Sequence, residues 1–409
     1  MRSPARRTTG ALVLSAALTL GLAACGGGDD GGGGGSDDPI VVGISLPLTG
    51  DFSEPGKGVQ EGYEAWAKIT NDKGGLLGGR KIELKILDDQ SNADRVVADY
   101  EQLIGSDQVD LVVGPFSTRL VVPSARVAQE YGMLFVEPAG AAAEVFNQGF
   151  KNLFYAAPAV ADDHYNHLAE YLLALPAGEK PETVAYAAMD DPFAQGTAYG
   201  LKKKLEAGGV KTVVDEVYPP NTTDFGSIAA KIAAAKPDMV VGGSQYQDGV
   251  NLIVALQQLN YQPKLAAFST APTNPEFAKA IGNKTEGILS PTGYSQDAPY
   301  ESNKEFVEKF TAQFGRAPEE DQANGYTTGQ VVAAAVEAAG CAEQGDCQQK
   351  LIDWLHSNTV DTVVGPLKWD ATGKPQGAHM IQQWVGDDIK IVLPADAKEA
   401  DLVYPKPAW

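Results

Sequence analysis

At 409 residues the chain exceeds one typical domain, and 44% hydrophobic with 21% charged residues is the composition of a globular protein with sizeable cores. Formal net charge is −21, and removing the segment before Cys25, with three arginines and no acid, leaves −24. Such a surface repels nucleic acid and anionic headgroups and excludes both as partners, while saying little about a small ligand that meets only a local field.

Arg2, Arg6 and Arg7 precede an apolar run from Ala11 to Leu22, too short to span a bilayer and suited to an export signal. The run ends in Leu22-Ala23-Ala24-Cys25, which resembles a bacterial lipoprotein processing site, so residues 1–24 are expected to be a signal peptide and Cys25 to carry lipid. Arg6-Arg7 is a weak match to a twin-arginine signal. Gly, Asp and one Ser fill 26–38, a composition that buries nothing and suits a flexible tether. The expected location is the outer face of the cell membrane.

From there apolar runs alternate with helical patterns. Strands are expected at Ile40–Leu48, Lys81–Leu87, Val109–Val113 and Met133–Val136, with helices over Val59–Asn71, Ala93–Ile104 and Val121–Tyr131. A second series has a helix from Asp162 to Leu175 and strands at Thr183–Ala188, Thr212–Val217, Met239–Gly242 and Leu265–Phe268. Its other helices are Ala198–Ala207, Ser227–Ala235 and Val250–Leu259. Strands that read as near-continuous Val, Ile and Leu belong to parallel sheets covered on both faces, so two βα series predict an α/β chain of two doubly wound lobes. Later helices at Lys304–Phe314, Val331–Ala339 and Leu351–Ser357 lack strands of their own and are expected to pack back on the first lobe. Val363–Trp369 and Met380–Val385 read as strands joined by a turn at Asp370–Gly373. Cys341 and Cys347 close a short glycine-containing loop, which in an oxidising compartment predicts a disulfide between two helices.

Enzyme motifs find no foothold. His164 and His167, beside Asp162 and Asp163, have i, i+3 spacing, but acids also suit a helix start. Gly293-Tyr294-Ser295-Gln296-Asp297 lacks the closing glycine of a nucleophile elbow, and Gly56, Gly58 and Gly62 miss the dinucleotide spacing by one residue. No cofactor, metal or catalytic residue is expected. The loops after two strands are more informative, because ligands of open α/β sheets bind at carboxyl ends. Gly114-Pro115-Phe116-Ser117-Thr118-Arg119 offers two capping hydroxyls and free amides at a helix start. Glu137-Pro138-Ala139-Gly140-Ala141 has side chains small enough for a ligand to approach the main chain.

These loops carry a resemblance. Leu46-Pro47-Leu48-Thr49-Gly50, Asn71-Asp72-Lys73-Gly74-Gly75, Asp88-Asp89, the two loops above, Asn147 to Phe154, and Gly365-Pro366-Leu367 with Trp369-Asp370 and Gly373 follow one another in order. The pattern spans nearly the whole mature chain. It resembles the extracellular solute-binding proteins of branched-chain amino-acid importers of the ABC class. The resemblance implies a type I periplasmic-binding fold, two lobes joined by three crossovers, with no enzymatic activity. The implied partners are a small amino-acid-like, carboxylate or amide ligand and an ABC permease, the chain itself being a monomer. It implies ligand contacts at Ser117, Thr118, Ala139, Gly140 and Ala141 on the first lobe and at Phe193, Ser244 and Gln245 on the second. Departures are visible: Ala141 replaces a threonine, Pro55 an aromatic, and Thr270-Ala271 holds no acid where the family binds an ammonium. Asp248 or Asp321 would have to substitute, or the ligand is an amide, a urea-like solute or an aromatic acid. A ligand-sensing receptor domain is the alternative reading. The expected lobes are 39–157 with 292–364, and 158–291 with 365–409, the linkers falling at Ala157-Pro158, Pro291-Thr292 and Gly365-Pro366.

Overall fold

The computed structural model describes residues 38–274 and 276–409; the expected signal peptide, Cys25 with its expected lipid, and nearly all of the expected tether lie outside the described residues. The first series comprises β1 (Ile40–Leu46), α1 (Ser53–Asp72), β2 (Ile82–Asp88), α2 (Ala93–Glu101), β3 (Leu111–Val113), α3 (Thr118–Glu130), β4 (Phe135–Glu137) and β5 (Leu153–Tyr155). The second comprises α4 (Asn166–Ala174), β6 (Thr183–Met189), α5 (Pro192–Ala207), β7 (Lys211–Tyr218), α6 (Gly226–Ala235), β8 (Met239–Gly243), α7 (Tyr246–Gln258), β9 (Leu265–Phe268), α8 (Phe277–Ala280) and β10 (Ile288–Thr292). Then follow α9 (Glu301–Phe314), α10 (Glu320–Ala339), α11 (Asp346–Ser357), β11 (Val360–Thr362), β12 (Gly365–Leu367), β13 (Met380–Val385) and β14 (Asp388–Leu393).

Two large sheets result, wound alike, beside a two-stranded antiparallel β11-β12 ribbon. The first runs β2-β1-β3-β4-β5, all parallel. In the second, β7-β6-β8-β9-β10 repeats that order in parallel, and β13 and β14 extend it antiparallel beyond β10. Alternation along buried strands divides each lobe's core in two. Val113 and Val136 face the cluster under α1, α9, α10 and α11, while Val112 and Phe135 face the cluster under α2 and α3. In both lobes strand order reverses beside the first strand of the series. The reversals lie between β1 and β3 and between β6 and β8, and crevices for ligands form at such points.

The late helices do pack on the first lobe, with α10 lying along α1. Two of the three glycines that resembled a nucleotide loop, Gly58 and Gly62, serve this crossing, while Gly56 packs against Pro47. A Cβ on Gly62 would lie under 3.0 Å from the Gln322 backbone, one on Gly325 equally close to the Val59 carbonyl, and one on Gly329 inside the Trp66 ring. The predicted start of this helix at Val331 was too late: Glu319 and Gln322 form a reciprocal capping box, and α10 begins at Glu320. Its first half buries Gln322, Asn324, Thr327 and Thr328 alongside alanine and glycine, so no apolar stripe marks it in the sequence. Cys341 and Cys347 are joined, with Cα atoms 6.0 Å apart, across the turn between α10 and α11.

One expectation needs correction. Val363–Trp369 and Met380–Val385 do not form a hairpin. The Asp370 turn exists, its carboxylate accepting the Thr372 amide at 2.7 Å, but it lies against β5: the Trp369 indole donates to Tyr155 O at 2.7 Å and Tyr155 N to Gly373 O at 3.3 Å. Met380–Val385 pairs instead with β10 and, through a turn at Gly386-Asp387, with β14. Leu367 and Trp369 belong to the first lobe's core, and the chain joins the second sheet only at Met380.

Gly329→Ala forces a methyl into the Trp66 ring and is expected to lower unfolding stability by about 1–3 kcal/mol by overpacking. Denaturant unfolding of the two proteins measures it, and an unchanged midpoint would contradict the close crossing.

Candidate functional site

The loops at the two reversal points hold most of the residues singled out by sequence. Ser117 follows β3, and Thr118 opens α3; Phe193 lies in the first turn of α5 after β6; Ser244 and Gln245 follow β8. Ala139–Ala141 follow β4, one strand further along. The topology thus brings the predicted set to the carboxyl edges of both sheets.

Ser117 was expected to cap a helix, and its side chain makes no capping bond. Its φ of 82° with ψ of 146° lies in a region that normally admits only glycine, and its buried Oγ has no partner. Strain of this kind at an unpaired hydroxyl marks a position held for something other than local stability. Thr118 Oγ1 accepts the Ala142 N–H at 3.3 Å, which leaves its own hydrogen for donation. Phe116, beside Ser117, pairs with Phe52 of the β1–α1 loop at 6.0 Å between centroids, giving this edge an apolar lip that sequence reasoning did not single out.

The Ala139–Gly140 stretch departs from expectation. The carboxylate of Glu137, fully buried, accepts the Ala139 N–H at 2.7 Å and the Gly140 N–H through the same oxygen, Oε2. Two of the amides offered to a ligand are therefore engaged internally. Oε1 has no partner, and burial pushes this carboxyl up to about 8 against the pull of the two amides. The neighbouring glycines fit around it: a Cβ on Gly114 would strike the Glu137 side-chain base, and one on Gly140 would come to 2.7 Å from Oε1. A Glu-Pro pair reads as turn chemistry in sequence, so nothing in it announced a buried acid.

On the second lobe Asp191 caps α5, its Oδ1 accepting the amides of Phe193 at 3.0 Å and Ala194 at 3.2 Å. Its other oxygen faces Arg119 of α3 at 3.8 Å, an ion pair from one lobe to the other. Ser244 is held by Ser269, whose hydroxyl accepts the Ser244 N–H at 2.7 Å and donates to its carbonyl at 2.6 Å, while Ser244 Oγ is buried without a partner. Gln245 precedes α7 half-buried and caps nothing with its side chain. Ala271 lies in the second lobe's core, so no acid stands there. Of the two substitute acids, Asp248 is buried and accepts the Tyr218 hydroxyl at 2.6 Å, burial raising its carboxyl. Asp321 stands in the first turn of α10, where burial and then the charges of Glu320 and Glu319 raise it to about 8.

His164 and His167 do not converge on a common ligand. The buried His164 ring stacks on His379 at 3.9 Å and lies edge-on to Phe193 at 5.9 Å, whereas His167 approaches Glu170 at 3.5 Å. The stacked pair belongs to the passages between lobes. The Gly377 N–H donates to Pro158 O at 2.9 Å, and Gly293 N–H to Glu320 Oε1 at 2.7 Å.

Known proteins share this arrangement. A family model described as periplasmic binding protein matches residues 39–388. The chain belongs to the periplasmic binding protein family. The Leu/Ile/Val-binding protein BraC3 of Rhizobium johnstonii is 27% identical over 335 residues, covering 82% of this chain and 88% of that one. Leu/Ile/Val-binding protein homolog 1 of Brucella melitensis is 28% identical over 348 residues, covering 84% and 90%. Among solved structures, the leucine binding protein LivK of Thermotoga maritima superposes with a TM-score of 0.75 at 19% identity, covering 86% of this chain and 97% of that one. A solute binding protein of an R. palustris ABC transporter, in complex with benzoate, gives 0.73 at 22% identity, covering 91% and 97%. These likenesses establish the two-lobed type I fold, and with it the carboxyl edges as the part of a periplasmic binding protein that merits chemical scrutiny.

Glu137 makes the stability of this binding protein pH-dependent. Its folded value lies above the ordinary carboxyl value, so between about 4.5 and about 8 the folded chain holds a proton that the unfolded chain has released, and stability falls as pH rises through that window. Relative to Glu137→Gln, the wild type is expected to lose a few kcal/mol between pH 5 and pH 8. Chemical denaturation of both proteins across that range reads the difference, and parallel profiles would refute it.

Proposed function

We propose that the chain is the extracytoplasmic substrate-binding component of an ABC importer, tethered through lipidated Cys25, that captures a small solute by closing two lobes and presents the closed form to a permease. The observation that carries this reading is the pairing of Arg119 with Asp191. It ties the start of α3 to the start of α5, at the carboxyl edges of two separately wound sheets. A ligand seated between such edges touches both lobes and so favours closure, by as much as its affinities for the two states differ. The Leu/Ile/Val-binding relatives support an amino-acid ligand, and the benzoate-bound neighbour supports an aromatic acid. The strained Ser117, Thr118, Phe193, Ser244 and Gln245 are proposed to contact the ligand, with the lobes dividing near residues 157, 292 and 377. Amino acids, small aromatic acids and the amides of either are the ligand classes to compare.

Thermal unfolding of the purified protein against leucine, isoleucine, valine, their amides, benzoate and benzamide tests the reading. A binder at a hundred times its dissociation constant adds about 2.7 kcal/mol of stability and raises Tm. Silence from the entire panel would overturn it.

Arg119→Ala removes an ion pair that, half exposed on the arginine side, contributes at most about 1 kcal/mol to closure. The expected results are a ligand affinity lower by up to roughly fivefold and a larger radius of gyration in solution scattering of the ligand-free protein. An unchanged radius and affinity would remove this pair from the closing interface.

A further inference from the structure

The loop after β4 is built to hold an anion, and a carboxyl group of the chain itself occupies it. The N–H groups of Ala139 and Gly140 converge on one oxygen of Glu137, the concave arrangement of successive amides that binds carboxylates and phosphates elsewhere. The fit is mutual. Gly140 has no room for a side chain because Glu137 Oε1 and a Val121 methyl each lie 2.7 Å from where its Cβ would be, and Gly114 admits the Glu137 side-chain base as β3 passes β4. Glu137 is wholly inaccessible, and its Oε1 has no partner in the fold.

Resting on the capture reading above, we propose that Glu137 is a specificity-determining residue, an internal carboxyl that fills the anion-binding amides of the 138–141 loop, so that the cleft selects solutes whose carboxyl group is absent or masked as an amide. A free carboxylate arriving at this edge finds the Ala139 and Gly140 donors already engaged. It would have to be desolvated without those amides, and beside a like charge whenever Glu137 is ionised. The raised value of Glu137 is consistent with the protonated form at neutral pH, in which it stays in place without a counter-charge. Arg119, the cation next to this loop, is turned to Asp191. What the edge does offer is neutral: the unpaired Ser117 hydroxyl and the free hydrogen of Thr118, donors suited to an amide carbonyl, beside the apolar Phe52–Phe116 pair.

The test compares each acid with its amide, leucine against leucinamide and benzoate against benzamide, by titration calorimetry and Tm shift. The proteins are the wild type, Glu137→Ala and Glu137→Gln. In the wild type the amide of a pair is expected to bind at least tenfold tighter than the acid. Glu137→Ala vacates the amides, so carboxylates gain at least tenfold and millimolar acetate alone raises Tm. Glu137→Gln keeps an oxygen on the same two amides and retains the wild-type preference. An acid bound by the wild type as tightly as its amide overturns the assignment while leaving the capture reading intact, whatever the variants do. A folded Glu137→Ala protein that gains nothing for acids overturns it as well. If no solute, acid or amide, stabilises the wild type, the capture reading itself fails and takes this assignment with it.

Discussion

Glu320 and Gly293 fix how the two lobes meet. The Glu320 carboxylate, reaching out of the first turn of α10, accepts the Gly293 N–H where the chain leaves β10 and the Thr292 hydroxyl one residue earlier. Gly293 has no side chain because His379, Pro158 and Glu320 each come within about 3 Å of where its Cβ would stand. One residue of each passage between lobes is thereby in contact with the others, and Gly377 is hydrogen-bonded to Pro158 beside them. A junction of three strands of chain, tied at one point, permits rotation about that point far more readily than sliding.

The same junction explains how glycine is used throughout the first lobe. Gly58 and Gly62 on α1 and Gly325 and Gly329 on α10 let two helix backbones nearly touch, which brings the start of α10, and Glu320 with it, up to the passages. Had these positions carried side chains, the helices would stand at the usual 8–10 Å, and the Glu320 carboxylate would fall short of Gly293. Gly58 and Gly62 therefore have a mechanical reading that the nucleotide motif they nearly match would have obscured.

What the sequence disclosed follows from where local signals and burial agree. The parallel strands were legible because strands covered on both faces must be apolar throughout, and the gathering of the candidate loops at one carboxyl edge was legible because strands in a doubly wound sheet all point the same way. The first half of α10 was not, since a helix buried on every side with Gln322, Asn324 and Thr328 has neither stripe nor apolar run. The Asp370 turn was recognised correctly and its partners wrongly, because a turn specifies its own geometry and not which sheet its flanks join; Trp369, claimed by the first core, decided that. At the site, hydroxyls and small residues could be placed by their position after β3 and β4, but their hydrogen-bond state could not. Ser117 lost its presumed capping role, and the Ala139 and Gly140 amides turned out to be engaged.

Glu137 shows why that last level is beyond reach of pattern reading. An acid at the end of an apolar strand, followed by proline, has every local reason to face solvent at a turn. It is instead drawn inward because two loop amides would otherwise be buried without acceptors, and an orphaned buried donor costs about 1–3 kcal/mol. Burying the carboxyl incurs its own desolvation cost, visible in the rise to about 8, but protonation limits that cost in a way that no amide can match. The balance favours an internal anion site occupied by a group able to shed its charge. Such a group leaves the loop in one shape whether or not a ligand is present, so the free energy of ligand binding need not be drawn on to order it and remains available for moving the lobes.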